Sequence, residues 1–188
     1  MTTVFEHLEA FAGEIVDGWK VGSDGTERPF QVVRTKGGPH AGTVTFSTLG
    51  LSRFQLPSGP ERGHKHIRHE LILVVPEDAI PFNVISLLQQ VGMEAIEREQ
   101  AYLRGEVIGP RGPMFEGCQP KALYVAIPVY FPTEFAVATT EESGDVVFAW
   151  LIPILDDEYH LYHTQGWSAL EAMFVKDNPD LVDYRRAV

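Results

Sequence analysis

Five consecutive apolar residues, Leu71-Ile72-Leu73-Val74-Val75, follow the charged triplet Arg68-His69-Glu70 and stop at Pro76. The run is too short for a helix. Its branched side chains suit a strand buried on both faces. A strand of that kind needs a layer above it and a layer below it, so the rest of the chain must supply both.

The flanking pattern supplies them. Val4, Phe5, Leu8, Phe11, Ala12, Ile15 and Val16 recur at helical spacing, which predicts a helix over 3–17, capped by Thr2 or Thr3 and ended by Gly18. Short strands are expected at 19–21 and 30–35, on either side of the turn Ser23-Asp24-Gly25-Thr26. Thr43 to Thr48 alternates, with Val44 and Phe46 on one face, and reads as a half-buried strand. After Pro76 the stripe Val84, Leu88, Val91, Ala95 marks a long helix over about 81–103, with Pro81 in its first turn. Strands are predicted at 123–129, 135–139 and 146–154, the last a central one with Trp150 in its middle. A helical region begins at Asp156-Asp157, breaks at Gly166 and resumes over 168–176. Residues 105–117 read as a mobile surface loop and 177–188 as a polar tail. The order is that of an α+β domain, with a central mixed sheet flanked by helices and one domain spanning 1–188.

Composition excludes several classes. Fifteen Lys and Arg stand against 26 Asp and Glu, for a net charge of −11. A chain so acidic repels phosphate backbones, so no nucleic-acid partner is expected. Solubility is the plain reading of the charge, and attraction to a basic protein partner the sharper one. No apolar run approaches the roughly 20 residues of a membrane helix. The N-terminus lacks a basic region and an apolar signal core, which fits a cytoplasmic protein. Cys118 is the single cysteine, so no internal disulfide can form.

Chemistry-bearing motifs are few. His64-Lys65-His66 followed by Glu70 resembles the first metal motif of cupins, and His64, His66 and Glu70 are the candidate metal ligands. Glu77 stands where that motif has a glycine, and no second cupin motif follows, so a solvated loop leading into a strand is the preferred reading. His160 and His163 share a helical face beside Asp156, Asp157 and Glu158, and read as surface histidines near a capped helix start. Gly37-Gly38-Pro39 lacks the Lys-Ser/Thr ending of a phosphate loop. Cys118 has no assignable histidine partner, and no Gly-x-Ser-x-Gly elbow exists. No catalytic residue and no cofactor is expected.

Three stretches carry a resemblance. Phe46-Ser47-Thr48-Leu49-Gly50-Leu51-Ser52 looks like a strand entering a Thr-x-Gly-Leu turn. Arg68-His69-Glu70-Leu71-Ile72-Leu73 looks like a Glu-Leu strand, and Val147 to Ile154, with Glu158 and Gly166 behind it, like an aromatic-apolar strand ending in Pro-Ile. In this order, over about 30–180, the chain resembles the suppressor of fused domain family in its short bacterial form. The resemblance implies a non-enzymatic domain that binds a protein. Small bacterial relatives look like immunity proteins that neutralise a partner toxin. Residues 57–66 and 105–117 are the candidate contact loops. A metal-dependent enzyme and a homodimer built through a sheet edge are the alternatives.

Overall fold

The computed structural model describes residues 2–59, 63 and 65–187. The chain opens with helix α1, Val4–Ala12. Thr3 Oγ1 accepts from the Glu6 N–H at 3.1 Å, and Glu6 Oε2 accepts from the Thr3 N–H at 2.8 Å, closing a capping box. The helix ends five residues sooner than its pattern predicts. Gly13 leaves the helix at φ 93°, where a Cβ would lie 2.3 Å from the Lys36 carbonyl oxygen. Glu14–Val21 is strand β1, so Gly18 lies within a strand, and the helical spacing of Ile15 and Val16 was coincidental.

Strand β2 (Glu27–Lys36) and strand β3 (Thr43–Leu49) continue the antiparallel ladder. β3 is buried on both faces rather than half-buried, because Thr45, Ser47 and Thr48 are covered as fully as Val44 and Phe46. A short turn of 3-10 helix, Leu51–Arg53, leads to strand β4 (Leu56–Pro57), which pairs with strand β5 (His66–Pro76). Helix α2 is Val84–Glu97, shorter than predicted at both ends. Asn83 precedes it and turns its side-chain amide to the Met114 carbonyl at 2.9 Å. After it, Glu99 turns left-handed at φ 49°, and Ala101, Tyr102 and Leu103 drop into the core. Four further strands follow: β6 (Val107–Ile108), β7 (Ala122–Ala126), β8 (Val137–Thr140) and β9 (Gly144–Ile154). Helices α3 (Asp156–Gln165) and α4 (Trp167–Asp177) end the regular structure on either side of Gly166.

The nine strands among the described residues join one mixed sheet, ordered β1-β2-β3-β5-β9-β7-β6, with β4 on β5 and β8 on β9. β5 and β9 run parallel at its centre, with Arg68 opposite Val146 and Ile72 opposite Trp150. β7 and β8 lie end to end along the far side of β9.

The two faces of the apolar run separate as a period of two requires. Leu71, Leu73 and Val75 join one core with Phe30, Leu88 and Leu151. Ile72 and Val74 join the other with Leu8, Trp150 and Leu170. α2 closes the first core on the four apolar residues of its stripe, all of them buried. It sits close because Gly92 faces Phe30: a Cβ there would lie 2.4 Å from Phe30 Cζ.

Two predicted surface segments are anchored instead. Within 105–117, Ile108, Met114 and Phe115 are buried, since the loop closes one end of the first core. In the tail, Leu181 and Val182 belong to one core and Tyr184 to the other, so the chain straps around the end of the sheet. The Tyr184 ring meets Phe115 at 4.7 Å, and its hydroxyl donates to the Ala79 carbonyl at 2.7 Å.

Candidate functional site: an anchored turn and the groove above it

Glu70 sits in the middle of β5 at 0% exposure. Its carboxylate is enclosed by the turn that follows β3. Thr48 Oγ1 donates to Oε2 at 2.6 Å, and the Gly50 and Ser52 N–H groups donate to Oε1 at 2.9 and 3.1 Å. Thr48 Oγ1 also accepts from the Leu71 N–H at 2.8 Å. Burial pushes the Glu70 pKa up, and the hydrogen bonds from Thr48, Ser52 and Gly50 pull against that rise. Arg68 ties the same turn from outside, with Nη1 donating to the Ser52 and Arg53 carbonyls at 2.9 and 3.0 Å. Gly50 takes φ 102°, which explains the glycine in the Thr-Leu-Gly-Leu sequence.

The turn is the floor of a groove of about 510 Å³. Its walls come from the start of α1, from Lys20 of β1, from residues 29–31 of β2, and from the hairpin 140–143 between β8 and β9. Phe5 stands on the rim, 44% exposed. The hairpin is braced by Ser143 N–H donating to Thr140 Oγ1 at 3.1 Å and by Thr139 Oγ1 donating to Asp145 at 2.7 Å.

The histidine motif does not assemble here. His64 lies outside the described residues. His66 is exposed and paired with Pro57, while Glu70 is committed to the turn, roughly 13 Å further along the strand. Among the described residues no group of three or more His, Cys, Asp and Glu side chains is placed to hold a metal ion. His160 and His163 are exposed on α3, the latter stacked on Tyr159 at 6.1 Å. The Cys118 thiol is half-buried, and that burial raises its pKa. Of the two predicted contact loops, 105–117 is anchored in the core, and the part of 57–66 at 60–62 and 64 lies outside the described residues.

His69 is also at 0% exposure, and burial lowers its pKa from 6.5 to about 4. Nε2 accepts from the Tyr102 N–H at 3.4 Å, and Nδ1 has no partner among the described residues. A depressed histidine pKa contributes stability above the unfolded value, and that stability is lost as pH falls toward the native value. The shift from 6.5 to about 4 corresponds to about 3 kcal/mol, withdrawn between pH 6.5 and 4. Urea unfolding should therefore show wild type losing stability relative to His69→Leu as pH is lowered through that window. Parallel curves would show that His69 does not titrate with folding.

A nine-stranded mixed sheet with helices on both faces, and a surface turn clamped by a buried carboxylate, defines an α+β scaffold whose polar core serves its surface. The chain belongs to the suppressor of fused protein (SUFU) family, whose model matches residues 26–187. The fold is that of a SUFU homologue from Neisseria gonorrhoeae FA 1090, at a TM-score of 0.74 and 20% identity, over 96% of this chain and 91% of that one. The structure of a Sufu–Fu complex matches at 0.70 and 16% identity, over 98% and 89%. Drosophila Suppressor of Fused matches at 0.63 and 17% identity, over 85% of this chain and 43% of that one. No curated protein matches.

Sequence reasoning singled out Glu70 and the 46–52 turn but not what joins them. The groove was missed because its walls come from four separate segments. The available signal was a glutamate leading the most apolar strand, a position where an ionisable group needs a partner.

Proposed function

We propose that this chain is a single, non-catalytic protein-binding domain. In the finer reading it is a cytoplasmic bacterial immunity protein or regulator that binds and neutralises a partner such as a toxin. The observation that carries the reading is membership of a family in which a protein of this fold is seen in a Sufu–Fu complex. The non-catalytic part is supported by two buried carboxylates being committed to structural partners, Glu70 to the turn and Glu158 to Arg186. No helix among the described residues is long and apolar enough to cross a membrane. A net charge of −11 favours a basic partner and speeds its encounter. A homodimer through the edge strand β1 is less favoured. Its register breaks twice against β2, and Asp17–Arg34 and Lys20–Glu27 ion pairs line it, features that discourage edge pairing.

The test is a pull-down from the native organism with the tagged protein, followed by stoichiometry of the recovered complex. One protein held at a fixed ratio through gel filtration supports the reading. Recovery of none at a fixed ratio, across growth conditions in which the chain is expressed, overturns it.

A further inference from the structure

We propose that the groove over the 49–53 turn is the partner-binding site, and that its occupant is an extended segment of a partner protein carrying a Lys or Arg side chain. This rests on the protein-binding reading and deepens it.

The groove is built as a docking site should be, with its parts fixed before anything binds. Its floor is held by Glu70 through two backbone N–H groups and Thr48. Enclosing a carboxylate completely is costly, and an apolar residue at that position would suit the core better. What the carboxylate achieves is a surface turn with one conformation. The α1 wall is fixed by the capping box of Thr3 and Glu6, which sets the direction of Phe5. The opposite wall is fixed by the braced hairpin. An exposed aromatic on a rigid support is the usual kind of anchor at protein interfaces.

The charges choose the occupant. Glu141 and Glu142 are exposed at the hairpin tip on the groove wall, and neither carboxylate has an ion pair or hydrogen bond among the described residues. Lys20, which lines the groove from β1, is already paired with Glu27 at 2.5 Å. The Arg53 guanidinium lines the groove without a carboxylate partner among the described residues. Two open carboxylates call for a cation, and the donors of Arg53 call for oxygen. An extended polypeptide supplies both, a basic side chain to the hairpin and main-chain carbonyls to Arg53. A phosphate-bearing ligand would satisfy Arg53 but meet the two carboxylates and the net charge of −11.

The test uses a displayed library of random linear peptides panned against the full chain, with the enriched peptides synthesised and titrated by calorimetry. Enriched sequences should share a Lys or Arg. Binding should weaken roughly tenfold in the Glu141→Lys/Glu142→Lys double variant and should fall with added salt. Arg53→Glu should weaken it as well. Both changes are at exposed positions, and an unchanged melting temperature establishes that the variants are folded. Enriched peptides that lack a basic residue, bind the double variant as tightly as wild type, or fail to emerge at all overturn the groove assignment. If a protein recovered by the pull-down binds the double variant undiminished, the groove is wrong while the protein-binding reading stands.

Discussion

Glu70→Ala is expected to destabilise the protein by about 3–4 kcal/mol, one of the two largest single-residue effects we anticipate. The substitution strips the Gly50 and Ser52 N–H groups and the Thr48 hydroxyl of their acceptor, and leaves a space at a fully enclosed position. Chemical denaturation at neutral pH measures it directly. A loss under 1 kcal/mol would mean that the turn finds other partners and is not clamped. Glu70→Gln keeps the volume and one acceptor oxygen, so it should lose less. The same variant isolates the proton. Burial raises the native pKa of Glu70 above its usual value of 4.5, so the fold holds that proton more tightly than the unfolded chain does. The resulting stability is fully present below pH 4.5 and is withdrawn as pH rises through the native pKa. The stability difference between wild type and Glu70→Gln should therefore shift against wild type as pH rises through that window. An invariant difference would show that Glu70 keeps one protonation state throughout.

Arg186→Ala is expected to be comparably severe, at about 3 kcal/mol. Arg186 is largely buried beside Glu158, with Nη2 donating to Glu158 Oε2 at 2.7 Å and to the Pro153 carbonyl at 2.9 Å. Its Nη1 donates to the other oxygen of the same carboxylate, a two-pronged pairing that lysine cannot reproduce. Glu158 in turn accepts from the Leu155 N–H at 2.8 Å, at the start of α3. Alanine would leave a buried carboxylate with one backbone donor and would unfasten the tail. Arg186→Lys should recover part of the loss at most. A melting temperature within a degree of wild type for Arg186→Ala would show that the pair contributes nothing net, as exposed pairs commonly do.

The fold was legible where one physical signal acted alone. The run Leu71 to Val75 had no reading other than a strand covered on both sides, and it lies at the centre of the sheet beside the second apolar run, Val146 to Ile154. The stripe on α2 was equally plain. Errors arose where two signals overlapped. Ile15 and Val16 continued the helical spacing of α1, but Gly13 had already broken the helix against Lys36. Glycine and proline in 105–117 advertised a loop and hid three buried apolar side chains. The charged residues of the tail hid Leu181, Val182 and Tyr184 in the same way. For the site, Glu70 was visible as a titratable group, but its role depended on a turn 20 residues upstream. No periodicity encodes that distance.

The parallel pairing of β5 with β9 has a consequence for how the molecule is made. Arg68 meets Val146 and Ile72 meets Trp150, a separation of 78 residues in each case. During synthesis, β5 emerges with one flank paired to β3 while the partner for its other flank does not yet exist. Its apolar side chains must wait through the synthesis of α2 and the 105–117 loop. Pairing of such long range folds slowly, and an unpaired apolar edge invites association with other chains. β9, and the strap that Tyr184 and Arg186 draw across the end of the sheet, both lie further along the chain. Completion of the sheet on that flank is therefore expected to wait for β9, and protection of the half-made sheet until then is expected to raise the yield of folded protein.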